Sequence, residues 1–189
     1  MNVGPWEVVV PRGFWRITEP TTMLTDYALA ALSAALAISL AARARKTPGR
    51  RVGLWIAAFS VTAVAALAGG SAHGFRVPLG DSWRSVWSFT VVAIGAGSAL
   101  LIAAGVRSVL RPRARDEASR REGASWLERA VVATLAGLAV LVAKLAIHRH
   151  FNHNDLYHVI QMAGIYFLYR GALLLEGLSE SDSERETSR

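Results

Sequence analysis

The chain has 189 residues, of which 52% are hydrophobic and 19% charged, and the apolar residues fall into blocks separated by short basic loops. The absence of cysteine excludes disulfides, thiolate metal sites and cysteine nucleophiles. The net charge of +7 lies beside the apolar blocks. This placement favours contact with anionic lipids and the setting of membrane topology over nucleic-acid binding.

Five apolar blocks follow one another along the chain, each long enough for a transmembrane helix, which needs about 20 residues to cross about 30 Å of hydrocarbon. We expect the spans near residues 24–42, 53–72, 86–106, 126–147 and 155–175. The pattern predicts an all-α fold, with one five-helix transmembrane domain over residues 23–176. Residues 1–22 form an extracytoplasmic segment and residues 177–189 a disordered cytoplasmic tail in this prediction.

The basic loops set the expected orientation. Arginine and lysine are concentrated after the first span, in residues 43–51, and after the third, in residues 107–125, the longest predicted loop. Basic loops stay on the cytoplasmic side, so the amino terminus is expected outside and the carboxyl terminus inside. The abundance of alanine and arginine favours a bacterial plasma membrane.

Reactive side chains gather at the outer end of this predicted bundle. Ionisable groups near the hydrocarbon are costly and usually face a polar interior or a cavity. The group contains every histidine of the chain: Glu19, Asp26, Ser71, His73, Asp81, Lys144, His148, His150, His153, Asn154, Asp155, His158 and Gln161.

Spacing on the last helix indicates a site. Asn154, His158 and Gln161 follow a four-then-three step and therefore share one helix face. His73, at the outer end of its own span, is the expected partner of His158. Imidazoles with carboxylates suit zinc, and the third ligand is left open between His153, Asp155, Asp26 and Asp81.

Simpler roles are open for the same residues. His148 and His150 suit a membrane interface, and His73 and His158 suit hydrogen bonds between helices. Asp26 and Asp81 suit helix capping or orientation. Ser71 suits a bond to its own helix backbone.

A short stretch of the last span resembles a known family. Residues 154–164, Asn-Asp-Leu-Tyr-His-Val-Ile-Gln-Met-Ala-Gly, resemble the last helix of the alkaline ceramidase and adiponectin-receptor-like superfamily of membrane hydrolases. His73 is similar to the histidine ending the second helix there, Asp81 to an aspartate near the start of the third, and Glu19-Pro20 to an acidic segment before the first. The chain differs by Asn154 in place of the first histidine of the last helix, by Gly69 in place of a serine, and by five spans instead of seven.

The resemblance implies a zinc ion held by histidines of the second and last helices, which activates water for amide hydrolysis in a lipid. We therefore expect a zinc-dependent membrane hydrolase that acts on a lipid-like amide or ester at the outer membrane face. The expected metal ligands are His73 and His158, completed by His153 or Asp155. Asp81 or Asp26 would orient the water and Ser71 would stabilise the oxyanion.

Membrane lipids and a lipid-like substrate are the expected partners, without nucleic acid. A second copy of the chain or another membrane protein is left open. The alternative functions are a non-enzymatic membrane sensor or partner-binding module, whose polar cluster is structural, and a haem protein with His73 and His158 as axial ligands.

Overall fold

The structure is a computed structural model that describes residues 8–9, 16–47, 52–114, 116–148 and 150–178. Two short strands, β1 (Val8–Val9) and β2 (Arg16–Ile17), pair in antiparallel register. The helices are α1 (Pro20–Lys46), α2 (Gly53–Gly74), α3 (Arg76–Leu79), α4 (Ser82–Leu110), α5 (Glu117–Val142) and α6 (His153–Leu175). Apart from the two strands the described regular structure is helical, which confirms the all-α prediction. Most of the predicted segments 1–22 and 177–189 lies outside the described residues.

Five of these helices are long and apolar enough to cross a membrane: α1, α2, α4, α5 and α6. Their number confirms the predicted number of spans. Large apolar side chains of α4 and α5 point away from the protein, and Val92 and Val132 are 71% and 66% exposed. An apolar outer surface of this kind suits a lipid environment.

Local sequence explains where the helices begin. Pro20 occupies the first turn of α1, where its missing N–H costs nothing. Asp116 caps α5 by accepting a hydrogen bond from the Ser119 backbone N–H at 2.7 Å. Asn152 and Asp155 form a reciprocal capping box at the start of α6.

The prediction that residues 107–125 form the longest loop is wrong. Helix α4 continues to Leu110 and α5 begins at Glu117, so residues 111–116 connect them. Residues 117–125 are rich in glutamate, alanine and arginine, which favour helix although they are not apolar. Hydropathy marks only the apolar part of a helix, and α5 therefore starts before the predicted span.

The long helices form a row in the order α4, α2, α1, α6, α5. Helix α1 packs on α2 and α6, α2 on α4, and α6 on α5, and α4 also makes a small contact with α6. Among the described residues, α4 and α5 do not pack along each other. The row therefore leaves a space between α4 and α5, with α1, α2 and α6 behind it.

The two ends of the row differ in chemistry. We call the end formed by the starts of α1, α4 and α6 and the ends of α2 and α5 the histidine end, and the opposite end the arginine end. The largest buried side chains, Trp55, Phe59 and Leu40, pack between α1 and α2 towards the arginine end. There the Trp55 Nε1–H donates to Ser108 Oγ at 3.0 Å, and the Ser108 hydroxyl donates to Glu176 Oε1 at 2.7 Å.

Candidate functional site

A histidine of α6 joins α1 through both of its ring nitrogens. His158 Nε2 lies 3.3 Å from Asp26 Oδ1, and His158 Nδ1 lies 3.0 Å from Thr25 Oγ1. The Asp26 side chain is 7% exposed and the His158 side chain 12%. The contact with Thr25 is a hydrogen bond, and the Thr25 hydroxyl also donates to the Thr22 carbonyl at 3.0 Å; the contact with Asp26 is a charged contact.

A second carboxylate–histidine pair joins the end of α2 to the residues that precede α1. His73 Nδ1 lies 3.0 Å from Glu19 Oε2. The hydrogen bond from His73 lowers the pKa of Glu19 below its usual value; burial opposes the shift, and the charges of His73 and Arg76 add to it. Thr18 fixes the same segment, since its backbone N–H donates to the Gly74 carbonyl at 3.0 Å and its hydroxyl to the His73 carbonyl.

Asp26, His158 and His73 line one cavity of about 200 Å³ among α1, α2, α4 and α6, which α5 borders at Leu141. One part of its lining is polar and contains Asp26, Thr62, His73, Thr90, Ser98, Asn154, Tyr157, His158 and Gln161. The remaining wall is apolar and contains Leu29, Ala65, Ala66, Ile94, Leu101 and Leu141. A cavity with a few polar groups set in an apolar wall is typical of a ligand site.

Two tryptophans of α4 lie beside His73, and one of them, Trp87, lines the cavity. Trp87 meets the His73 ring edge-on at 5.6 Å between centroids and stacks on Trp83 at 5.9 Å. The Trp83 Nε1–H donates to the Ala72 carbonyl at 3.0 Å, which ties the start of α4 to the end of α2. The Arg76 guanidinium lies 4.7 Å from the Trp83 ring centre.

Two further spaces adjoin this region at the histidine end. One, of about 240 Å³, is lined by Glu19, Ala72, His73, Arg76, Trp83 and Trp87. The other, of about 280 Å³, is lined by Glu19, Pro20, Thr21, Thr22, His150, Asn152 and Asp155.

The structure brings together three of the predicted site residues, Asp26, His73 and His158, around one cavity. Asn154 and Gln161 line the same cavity, which agrees with the predicted shared face of α6. Both His153 and Asn154 lie inside the first turn of α6.

Asp155 and Ser71 have other contacts. Asp155 lines the neighbouring space with Glu19, and its Oδ2 accepts the Asn152 backbone N–H at 2.7 Å. The Ser71 hydroxyl donates to the Leu67 carbonyl at 2.8 Å and lies 3.1 Å from the Tyr27 hydroxyl. The Ser71 contact matches the simpler role predicted for Ser71, a bond to its own helix backbone, and the Asp155 contact is a helix cap.

Asp81 and His153 lie at helix starts. Asp81 is exposed at the N-cap position of α4, and its side chain makes no capping hydrogen bond to the described backbone. His153 is half-buried as the first residue of α6.

The predicted zinc ligands do not form a coordination group. Within the described ranges, no three histidine, aspartate or glutamate side chains lie close enough together to hold a metal ion. His158 has Thr25 and Asp26 on its two nitrogens, and His73 has Glu19 on one of its own. The side chains as placed therefore do not fit zinc, nor do they offer two free axial nitrogens to haem.

The sequence analysis did not predict Thr25 as a hydrogen-bond partner of His158, nor Glu19 as the hydrogen-bond partner of His73. A signal existed for Glu19, because consecutive antiparallel helices place the start of α1 beside the end of α2. Thr25 precedes Asp26 in the same helix turn, but nothing in the sequence fixes how α1 is rotated relative to α6.

The fold and the site define a helical protein of membrane type with a polar cavity near one end of its helix row. The chain belongs to a family of unknown function (DUF6962), whose model matches residues 21–118 and 115–176. The first match includes α2 and α4, the second includes α6, and together they reach from the start of α1 to the end of α6. No curated protein and no solved structure matches the chain. The resemblance to alkaline ceramidases is not tested by these findings and stays a prediction.

Proposed function

We propose that the protein is an integral membrane protein that binds the polar part of a lipid-like molecule in the cavity between α4 and α5. The observation that carries this proposal is the lining itself, in which Asp26, His158 and Gln161 stand beside an apolar wall. Polar side chains within a membrane-spanning segment are costly unless they bind another polar group or a ligand. An amphiphile matches both parts of such a lining.

The position of the cavity supports entry from the bilayer. Helix α4 packs on α2 and α5 packs on α6, so the space between them is bordered by two helices with apolar outer faces. The hydrocarbon chain of a ligand would remain among these faces while its polar end reaches Asp26 and His158. Lateral entry spares the ligand from leaving the membrane.

The proposal includes the predicted topology. The amino terminus lies outside and the carboxyl terminus in the cytoplasm of a bacterial plasma membrane, which places the histidine end at the outer face. Arg43, Arg45 and Lys46 in the last turn of α1 support this orientation, because basic residues remain on the cytoplasmic side.

Lipid retention tests the binding function. We expect native mass spectrometry of the detergent-purified protein to find one amphiphile per chain. Ser98 lines the cavity, so Ser98→Trp should fill it and remove the ligand. The neighbouring Ala99 is exposed like Ser98 but does not line the cavity, and Ala99→Trp should retain the ligand. An empty wild-type protein, or equal retention by both variants, would contradict the proposal.

Hydrolysis of a lipid-like amide or ester at the same cavity is a second candidate. The Asp26–His158 pair favours it, because a carboxylate beside an imidazole is a common arrangement for moving a proton to or from a reacting group. In this candidate the Asp26 carboxylate accepts a proton from water, since Thr25 and Asp26 occupy both ring nitrogens of His158, and His158 orients the carboxylate.

The zinc-dependent form of this candidate makes a separate prediction. It requires about one zinc ion per wild-type chain and none in His158→Ala, measured by mass spectrometry of metal content, because a catalytic zinc site has only about three protein ligands and is expected to lose the ion with one of them. Zinc-free wild-type protein would contradict it. The binding function would stand in that case, since it uses no metal.

A further inference from the structure

The Glu19–His73 pair lies where three spaces of the protein meet. Glu19 lines both of the further spaces at the histidine end. His73 lines one of these and also the cavity that contains Asp26 and His158. Trp87 lines the same two spaces as His73. One hydrogen-bonded pair therefore separates the end of the bundle from the cavity.

The exposed fraction of the side chains decreases from Glu19 at the end of the bundle, through His73, to Asp26 at the cavity. The Glu19 side chain is 36% exposed, the His73 side chain 19%, and the Asp26 side chain 7%. Each of these side chains carries groups that hydrogen-bond with water. A series of polar groups leading inwards from a solvated helix end provides the partners that water needs in order to enter.

We infer that the cavity has an aqueous entrance at the Glu19–His73 pair, so that water from the histidine end and a lipid-like ligand from the bilayer meet at Asp26 and His158. The ligand in this inference rests on the proposed function, whereas the entrance does not depend on any ligand. Its consequence is that water is available as a reactant on the polar side of the cavity while the apolar side stays closed to it.

Two features keep this entrance narrow. Thr18 bonds the segment before α1 to the His73 and Gly74 carbonyls, so the backbone of Glu19 is held beside α2. The ring of Trp87 packs edge-on against His73 from the other side. Removal of the Glu19 side chain would therefore widen the entrance without displacing a helix.

The natural absence of cysteine permits a direct test with single-cysteine variants in liposomes. The reporter is Thr90→Cys, since Thr90 lines the cavity and is 2% exposed. The matched control is Val92→Cys on the same helix, since Val92 is 71% exposed on the outer apolar face. The probe is a charged, membrane-impermeant thiosulfonate added on the amino-terminal side.

We expect Thr90→Cys to react at least about tenfold faster than Val92→Cys, because only a thiol in contact with water ionises to the reactive thiolate. Adding Glu19→Ala should speed the reaction of Thr90→Cys several-fold and leave that of Val92→Cys unchanged. Equal rates for the two cysteines, or no effect of Glu19→Ala, would overturn the entrance.

Folding and ligand binding are checked separately. Each variant must unfold at a temperature close to that of the wild type, and Gln161→Cys, which lines the same cavity, replaces Thr90→Cys if that variant does not fold. If the protein retains the amphiphile but Thr90→Cys does not react, the aqueous entrance is contradicted and the binding function stands. A reactive Thr90→Cys in protein that retains no amphiphile would establish the entrance and contradict the binding function.

Discussion

His158 is held in one orientation by two residues of the same helix turn. Thr25 and Asp26 are neighbours in α1, and they contact opposite nitrogens of the imidazole. A flip of this ring would break the hydrogen bond to Thr25, which contributes about 1 kcal/mol of net stability, and the close contact with Asp26. The orientation of the polar group that faces the cavity is therefore set by α1 rather than by α6.

Acid should weaken the link between Glu19 and His73. The pKa of Glu19 is below its usual value of 4.5 because His73 donates a hydrogen bond to its carboxylate, with the charges of His73 and Arg76 adding to the effect. A carboxylate of lowered pKa stabilises the folded state above pH 4.5, and this contribution is lost as the pH falls through the lowered value.

Glu19→Gln tests this prediction, because glutamine keeps the size of the side chain without its charge. We expect the melting temperature of the wild type to exceed that of the variant at pH 4.5 and just above, and the difference to decrease as the pH falls below 4.5. Parallel melting curves over the whole acid range would show that the carboxylate contributes no stability through this bond.

The sequence predicted the residues of the site better than their partners. The spacing of Asn154, His158 and Gln161 fixes a common face on any α-helix, and all three line the cavity. Which residue each histidine meets depends on how far one helix is rotated and shifted against the next. That register results from packing between helices, which spacing within one helix does not reveal.

Helices α1 and α2 approach each other closely at Gly70. A Cβ atom built there would lie 2.8 Å from the ring carbons Cδ1 and Cε1 of Tyr27 and 2.9 Å from the Cβ of Asp26. Both distances are too short for a carbon–carbon contact. The missing side chain of Gly70 therefore gives Asp26 its position beside the cavity.

Gly70→Ala should destabilise the protein by about 1–3 kcal/mol, because Tyr27 and Asp26 must move to make room for the methyl group. The control is Gly95→Ala in α4, since a Cβ there would meet no described heavy atom within 4 Å. The control should be neutral or stabilising by up to about 1 kcal/mol, given the better helix propensity of alanine. Thermal unfolding in detergent measures both, and equal melting temperatures for the two variants would refute the close approach.

At the scale of the whole molecule, hydropathy predicted the number of long helices but not their arrangement. Each span was visible because a run of about twenty apolar residues is typical of a transmembrane helix. The sequence did not predict the order of the helices in the row, because lipid-facing and protein-facing surfaces of such helices have similar composition. Since the cavity lies between the first and last members of the row, its existence could not be predicted from the sequence.

The same row explains why α4 and α5 contribute differently to the cavity. Helix α4 supplies Trp87, Thr90 and Ser98 to the lining, whereas α5 supplies Leu141 near its end. The polar side of the cavity is thus built on α1, α2, α4 and α6. Helix α5 mainly borders the cavity with apolar residues.

Tryptophan hydrogen bonds tie α4 to α2 at both ends. Trp83 at the start of α4 bonds the end of α2, and Trp55 at the start of α2 bonds Ser108 near the end of α4. Helix α5 has no comparable tie in the described contacts and packs chiefly on α6. When the cavity widens to admit a bulky molecule and these bonds persist, α4 can move only by bending near its middle. Helix α5 should then undergo the larger displacement. The two borders of the cavity therefore differ in mobility: α4 is held by hydrogen bonds near both of its ends, whereas α5 is attached to the rest of the protein along one side, by α6.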